Sequence, residues 1–145
     1  MTVRKASAGE QGAIAALAAE LWPSHTGEEL SKEFEATLYS DRNAVFLALS
    51  DGWPVGFAHC SLREDYVEGT DGGRVGYLEE IYVKEGHRRT GIGTELVLAC
   101  QNWAKKEGCW EFASDCELQN ELSQAFHISM GFTEVNRIIC FAKKL

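Results

Sequence analysis

The chain has 145 residues, of which 45% are hydrophobic, which is enough for one packed domain. We expect a single domain over residues 1–145, because no low-complexity tract or internal repeat divides the chain. The 22 acidic and 14 basic residues give a net charge of -8. This charge opposes binding to nucleic acids and anionic membranes, and it favours cationic ligands.

The five cysteines indicate free, buried thiols rather than a disulfide framework or a zinc cluster. Their number is odd, and no two of them form a C-x-x-C pair. The first residues lack an apolar run of signal-peptide type, and no stretch approaches the length of a membrane span. We therefore expect a cytoplasmic protein without a metal site.

The first sixty residues are predicted to form a strand, two helices and a hairpin. Two capping-box patterns, at Ser7 with Glu10 and at Thr26 with Glu29, indicate where two amphipathic helices begin. Pro23 ends the first helix. The strands are predicted at residues 3–6, 44–50 and 55–62, the last two joined by a D-G-W-P turn.

The remaining residues are predicted to alternate between strands and helices. The β-rich stretch VGYLEEIYV is followed by a glycine-containing loop and by a helix that ends at Gly108. A shorter helix ends at Gly131. The strands are predicted at residues 75–83, 109–115 and 132–145. This order of elements is typical of an α/β fold with a mixed sheet.

The segment HRRTGIGTEL, residues 87–96, has the composition of an anion-binding loop. The first N–H groups of a helix have no partner inside the helix, and they attract anions together with the helix dipole. Gly91 and Gly93 allow a phosphate to approach the backbone, and Arg88 and Arg89 add charge-assisted hydrogen bonds. The segment therefore predicts a phosphate site.

Two nucleotide-binding motifs do not fit this loop. A P-loop requires lysine where Ile92 stands, and a dinucleotide fingerprint requires a third glycine where Leu96 stands. At this point a glycine-rich turn without a ligand is still an alternative.

The pattern R-x-x-G-x-G and the later segment HISMGF resemble two motifs of the GNAT family of N-acetyltransferases, and the order of elements is similar over nearly the whole chain. The resemblance implies a single-domain GNAT fold, with a mixed, mostly antiparallel sheet flanked by about four helices. It also implies acetyl-CoA as cosubstrate, with its pantetheine arm pairing with the backbone of Ile81 and Val83. The remaining cofactor contacts implied are Arg88, Arg89, Thr90, Gly91, Ile92, Gly93, Thr94 and Asn120.

Five further segments, ELWPSH, REDYVEGT, YLEEIYV, FASD and GFTE, look like one branch of that family, the small chromosomal aminoglycoside 6′-N-acetyltransferases of bacteria. This resemblance implies an aminoglycoside as acceptor. The acidic residues between positions 64 and 80 agree with a cationic substrate. The resemblance also implies a homodimer, for which the IICF segment offers an edge strand. The residues implied to line the cleft are Trp22, Tyr66, Glu79 and Asp115.

For catalysis we expect direct transfer in a ternary complex. Glu79 is the candidate base that takes a proton from the substrate ammonium, and period-two alternation predicts that Glu80 faces the other way. A backbone N–H near Ile81 is expected to stabilise the oxyanion. Where many GNAT enzymes have a tyrosine that reprotonates the thiolate, this chain has His127, the candidate general acid.

Three other functions remain open from the sequence. In the first, the protein acetylates another cationic amine, such as a polyamine, a peptide N-terminus or a lysine. In the second, the protein binds acetyl-CoA without catalysis. A nucleotide-binding domain is the third alternative, and the missing lysine disfavours it.

Overall fold

The computed structural model describes residues 1–145 and contains one five-stranded sheet and four α-helices. The strands are β1 (Thr2–Lys5), β2 (Asn43–Ser50), β3 (Trp53–Arg63), β4 (Val75–Val83) and β5 (Glu111–Ser114). The helices are α1 (Gln11–Leu21), α2 (Gly27–Tyr39), α3 (Ile92–Lys106) and α4 (Glu121–Ser129), with one 3-10 turn at Glu85–His87. The strand order is β1-β2-β3-β4-β5, in which β5 alone runs parallel to its neighbour. The predicted mixed, mostly antiparallel sheet is confirmed.

Helices cover both faces of this sheet. α1 and α2 pack on one face, where Ile14, Leu30 and Phe57 are buried together. α3 packs on the other face through Leu96 and Cys100, and apolar residues of α4 join the same cluster. None of the helices combines the length and the apolar composition needed to cross a membrane.

The two predicted capping boxes have different outcomes. At the start of α2, Thr26 Oγ1 accepts the Glu29 N–H at 3.1 Å and the Glu29 carboxylate accepts the Thr26 N–H, which confirms the prediction. α1 instead begins at Gln11, and the Glu10 carboxylate accepts hydrogen bonds from Ser7 N at 2.8 Å and from Arg4 at 2.6 Å. The predicted cap at Ser7 is wrong because Glu10 fixes the turn between β1 and α1.

The predicted buried thiols are found at three of the five cysteines. Cys60, Cys100 and Cys109 are buried, Cys116 is half-buried and Cys140 is exposed, and all five are free. The exposure of Cys140 follows from its position in the C-terminal segment, residues 132–145.

This C-terminal segment was predicted to form a final strand, and that prediction is wrong. No residue after α4 belongs to a strand, and the sheet ends at β5. Ile138, Ile139 and Phe141 are 67%, 77% and 91% exposed. A strand requires a neighbour for its backbone hydrogen bonds and burial for its apolar side chains. Within its own chain, this segment has no neighbouring strand, and these three apolar side chains are not buried.

Candidate active site

One edge of β4 is open over half of its length. β4 pairs with β5 only as far as Leu78, so residues 79–83 have no neighbouring strand on that side. The Lys84 N–H donates to a carbonyl of β3 at 2.8 Å. Alternation along the strand therefore directs the backbone groups of Ile81 and Val83 toward the open edge, where an extended ligand finds hydrogen-bond partners.

The loop after β4 presents a row of free backbone donors. The N–H groups of residues 89–94 have no acceptor in the chain, and α3 begins directly from Gly91, which has a left-handed φ of 88°. Arg89 also has a positive φ, of 60°, and Thr90 Oγ1 donates to the His87 carbonyl at 2.6 Å. These donors at the start of a helix form an anion site of the kind predicted for phosphate.

Two residues of this loop contact other elements. Arg88 Nε donates to the Val83 carbonyl at 2.8 Å, and its guanidinium lies 5.6 Å from the ring of Tyr82. A Cβ on Gly93 would lie 3.1 Å from the Phe126 ring of α4, so glycine allows the loop and α4 to approach closely. Arg88 thus connects the loop to the end of β4.

Glu79 occupies a β-bulge. The pairing of β3 with β4 places His59 opposite Glu80 and leaves Glu79 as the extra residue. The Glu80 carboxylate lies 2.7 Å from His59 Nδ1, and Ser61 Oγ donates to Glu79 at 2.5 Å. His59 and Ser61 lie on the same face of β3, so both carboxylates face one way. The prediction of opposite faces is wrong because the bulge interrupts the alternation.

Both carboxylate oxygens of Glu79 accept hydrogen bonds. Arg63 donates from Nη2 to Oε1 at 2.7 Å and from Nε to Oε2 at 3.0 Å, and Ser61 completes the set. Burial favours the neutral acid, but the hydrogen bonds from Arg63 and Ser61 outweigh it and lower the pKa of Glu79. Glu79 is therefore an ionised carboxylate at neutral pH.

Asp115 belongs to the same cluster. The Tyr77 hydroxyl donates to Asp115, and the Arg63 guanidinium carbon lies 3.4 Å from the centroid of the Tyr77 ring. Burial and the hydrogen bond to Asp115 raise the pKa of Tyr77, which keeps its hydroxyl protonated. The structure therefore joins Glu79 and Asp115 through Arg63 and Tyr77. We call Glu79, Asp115, Arg63, Tyr77 and Ser61 the carboxylate cluster.

Trp22 and Tyr66 make no hydrogen bond to Glu79 or Asp115. Trp22 follows the last residue of α1 and packs against the apolar cluster beneath α1 and α2. Tyr66 is 82% exposed on the loop between β3 and β4, and its hydroxyl donates to Glu68 at 2.5 Å. Both aromatic rings retain exposed surface, but the structure shows no hydrogen bond or ring contact that joins them to the carboxylate cluster.

Part of the acidic loop between β3 and β4 is neutralised by neighbouring basic residues. Glu64 lies 2.9 Å from Arg74 Nε and 3.6 Å from Arg42. Glu68 keeps its charge, because its donor at 2.8 Å is the neutral amide of Asn136 in the C-terminal segment. The acidic charge that faces a ligand is therefore smaller than the sequence count suggests.

His127 lies where β4 and β5 separate. Its Nε2 is 2.8 Å from Ser114 Oγ, and Ser114 pairs with Leu78 in the last rung between the two strands. Its Nδ1 is 2.7 Å from the Ser123 carbonyl, which accepts only, so Nδ1 carries a proton. Asn120 is the N-cap of α4, and its Oδ1 accepts the Ser123 N–H at 3.1 Å.

Sequence reasoning missed Arg63, Ser61, Tyr77 and Ser114. The available signal was the polar alternation of His59, Ser61 and Arg63, which indicates a polar face at the end of β3. The strand predicted at residues 55–62 ends one residue before Arg63, so the sequence pattern places Arg63 in the following loop.

Acetyl-CoA fits the arrangement of free donors. The open edge of β4 offers hydrogen bonds to an extended arm, and the loop at residues 89–94 offers donors to phosphates. No cluster of three or more His, Cys, Asp or Glu side chains suited to a metal ion occurs in the structure.

Comparison with known proteins identifies the family. The sequence model of the acetyltransferase (GNAT) family matches residues 14–132. Aminoglycoside N(6′)-acetyltransferase type 1 of Salmonella typhimurium strain LT2 is 39% identical over 125 residues, which are 86% of each chain. The protein of that name from Stenotrophomonas maltophilia is 38% identical, over 99% of this chain and 94% of its own. A solved structure of AAC(6′)-Iy in complex with the bisubstrate analog CoA-S-monomethyl-acetylneamine has a TM-score of 0.94 and 35% identity, over 99% of this chain and 98% of that chain. The chain belongs to the acetyltransferase (GNAT) family.

Proposed function

We propose that the protein transfers the acetyl group of acetyl-CoA to the 6′-amine of aminoglycosides and thereby confers resistance to them. The observation that carries this proposal is the position of Glu79, the first residue of β4 beyond its last rung with β5. A carboxylate thus lies where the open edge of β4 begins. The names of the relatives support the choice of the 6′-amine.

In this proposal the open edge and the loop hold acetyl-CoA, which supplies an acetyl thioester. Ile81 and Val83 pair with the pantetheine arm, Arg88 and Arg89 lie near the phosphates, and Asn120 contacts the cosubstrate from α4. The phosphate donors are the backbone N–H groups of residues 89–94, which are free in the structure. The six residues that supply these N–H groups are Arg89, Thr90, Gly91, Ile92, Gly93 and Thr94.

The cationic drug binds beside the carboxylate cluster. Its contacts in this proposal are Trp22, Tyr66, Glu79 and Asp115. Glu79 accepts a proton from the 6′-ammonium, directly or through one water, because only the neutral amine attacks the acetyl carbonyl. Asp115 holds a second ammonium group. The Ile81 N–H, directed to the open edge, stabilises the oxyanion that forms. Direct transfer depends mainly on positioning the two reactants.

Release of CoA thiol tests this activity directly. We expect rapid release with acetyl-CoA and tobramycin or kanamycin A, and none with analogues that carry a hydroxyl in place of the 6′-amine. Release with spermidine alone would assign the protein to another cationic amine. If the protein binds acetyl-CoA but releases no CoA thiol with any of these amines, it is a binding module and not an enzyme.

We further propose that His127 supplies the proton that the departing thiolate takes up, through the Ser114 hydroxyl. Both ring nitrogens of His127 already have partners, at 2.7 and 2.8 Å, whereas Ser114 lies at the last rung beside the open edge. In this step His127 starts with both ring nitrogens protonated. Its Nε2 proton moves to Ser114 Oγ while the Ser114 hydroxyl gives its proton to the thiolate, which leaves a neutral ring protonated at Nδ1. Solvent then reprotonates Nε2.

Replacing His127 with glutamine tests this relay. We expect kcat to fall by about 100-fold, which is the lower end of the usual contribution of a general acid, with little change in KM for acetyl-CoA. Ser114→Ala lowers kcat by a similar factor because the proton passes through its hydroxyl. Steady-state kinetics of both variants, checked for native melting temperature, measures this. Wild-type kcat in either variant would remove the relay.

We also propose a homodimer in which the C-terminal segment of each chain pairs with the partner. The segment is apolar and exposed at Ile138, Ile139 and Phe141, and the outer edge of β5 has no neighbour. Its first part lies against the β3–β4 loop, where Val135 packs on Gly69. An apolar segment without a partner and an open strand edge support association with a second copy.

Light scattering with size-exclusion chromatography measures this association. We expect twice the mass of one chain for the wild type and the mass of one chain for an Ile139→Ser, Phe141→Ser variant. A Lys143→Ser, Lys144→Ser variant alters polar positions of the same segment and should remain dimeric. A monomeric wild type, or a dimer that survives the first variant, would contradict the proposal.

A cytoplasmic location is part of the same proposal. All five cysteines are free, and Cys140 is exposed, which suits a reducing compartment.

A further inference from the structure

We propose that Arg63 occupies the place of a substrate ammonium on Glu79 in the free protein, and that a polycationic substrate displaces it. Arg63 is then a specificity-determining residue, because a substrate ammonium that binds Glu79 competes with an internal guanidinium. This inference rests on the proposed acetylation of a cationic amine.

The hydrogen bonds from Arg63 and Ser61 occupy most of the acceptor sites of Glu79, whose side chain is 21% exposed. Arg63 binds both carboxylate oxygens as a fork, with Nη2 at 2.7 Å from Oε1 and 2.9 Å from Oε2. Oε2 also accepts Nε at 3.0 Å and the Ser61 hydroxyl at 2.5 Å. A drug ammonium that takes over both oxygens of Glu79 therefore competes with this fork. A guanidinium and an ammonium compete for one carboxylate because both are cationic donors without acceptors.

The surroundings of Arg63 make displacement feasible. Its side chain is 41% exposed, so water solvates the guanidinium when it leaves Glu79. Its planar group stacks on Tyr77, whose hydroxyl donates to Asp115. Arg63 is therefore able to leave Glu79 while it retains the ring and the attraction of Asp115.

The charged groups around Glu79 determine which substrates displace Arg63. Arg63 and His59 face it from β3, Tyr77 and Glu80 lie beside it on β4, and Asp115 follows β5. A substrate with two or more ammonium groups binds Asp115 and Glu79 together and so outcompetes one guanidinium. A monoamine carries one positive charge and binds one of these two carboxylates at a time, so its binding is weaker. The carboxylate cluster therefore selects polycations.

Replacing Arg63 with methionine tests the displacement. We expect KM for tobramycin to fall by about tenfold, because the drug no longer competes with a charge-assisted fork. Arg63→Lys keeps the charge without the planar fork, and its KM should lie between the two. Arg74→Met removes one positive charge from the neighbouring acidic loop without touching Glu79, and its KM should stay within about twofold of the wild type.

The pH dependence of kcat/KM tests whether Arg63 sets the ionisation of Glu79. Because the hydrogen bond to Arg63 lowers the pKa of Glu79, its removal raises that pKa, and activity on the acid side is lost at a higher pH in Arg63→Met. A structural role would lower the melting temperature of Arg63→Met without lowering its KM for tobramycin.

A higher KM in Arg63→Met, with native melting temperature, would show that Arg63 helps to bind the drug and would overturn the inference. If the wild type neither acetylates nor binds tobramycin, the proposed function fails, and the inference fails with it. If the wild type is active and the Arg63 variants match it in KM and in pH profile, the inference alone is overturned.

Discussion

Replacing Glu79 with glutamine is expected to lower kcat for 6′-amine acetylation by about 100- to 10,000-fold, the usual contribution of a positioned acid or base. Glutamine keeps the size of the side chain and its hydrogen bonding to Ser61, but it does not accept a proton. Steady-state rates of CoA release with tobramycin, measured between pH 5 and 9, give the result. Because the carboxylate is missing, the deficit should persist at every pH.

Glu80 provides the matched control for this variant. It is adjacent in sequence, it lies on the same face through the bulge, and its carboxylate is held by His59 at 2.7 Å. We expect Glu80→Gln to retain kcat within about threefold, since its carboxylate is assigned no proton transfer. Near wild-type turnover by Glu79→Gln at all pH values would remove Glu79 from the role of base.

Replacing Gly91 with valine is expected to weaken acetyl-CoA binding by about tenfold or more. Gly91 has a φ of 88°, where a β-branched residue costs about 1–3 kcal/mol, and it places the free N–H groups of residues 89–94. The loop relieves the strain by changing its backbone, and the donors then no longer converge on the phosphates. Calorimetric titration with CoA measures the change in Kd.

Gly86 supplies the control for the loop. It has no left-handed φ, and a Cβ there meets no atom within 4 Å. We expect Gly86→Ala to bind CoA as the wild type does. If Gly91→Val also binds CoA with unchanged Kd, the loop does not hold the phosphates.

The fold and the helix start with free donors after β4 could be predicted from the sequence because their determinants are local. Gly91 and Gly93 beside the arginines specify a helix start with free donors, and Thr26 with Glu29 specifies the start of α2. The cap predicted at Ser7 fails although its pattern is the same. There Arg4 binds Glu10 from β1, which a pattern of four residues does not include.

The orientation of Glu79 was not predictable from alternation. A bulge adds one residue to β4 relative to β3, and the composition LEEIY does not reveal it. The ion pair of Glu79 with Arg63 joins residues sixteen positions apart across two strands, so it depends on strand register. The strand predicted for the apolar C-terminal segment is wrong for a related reason. Composition indicates a strand, but it does not indicate whether the same chain supplies a neighbouring strand for it.

The site of acetylation on the drug shows most directly whether the protein is a 6′-N-acetyltransferase. Tobramycin is incubated with acetyl-CoA and the protein, and the product is assigned by NMR. We expect one acetyl group per drug molecule, on the 6′ nitrogen. Acetylation at another amine, or an acetylated protein formed before any drug is added, would contradict the proposed reaction.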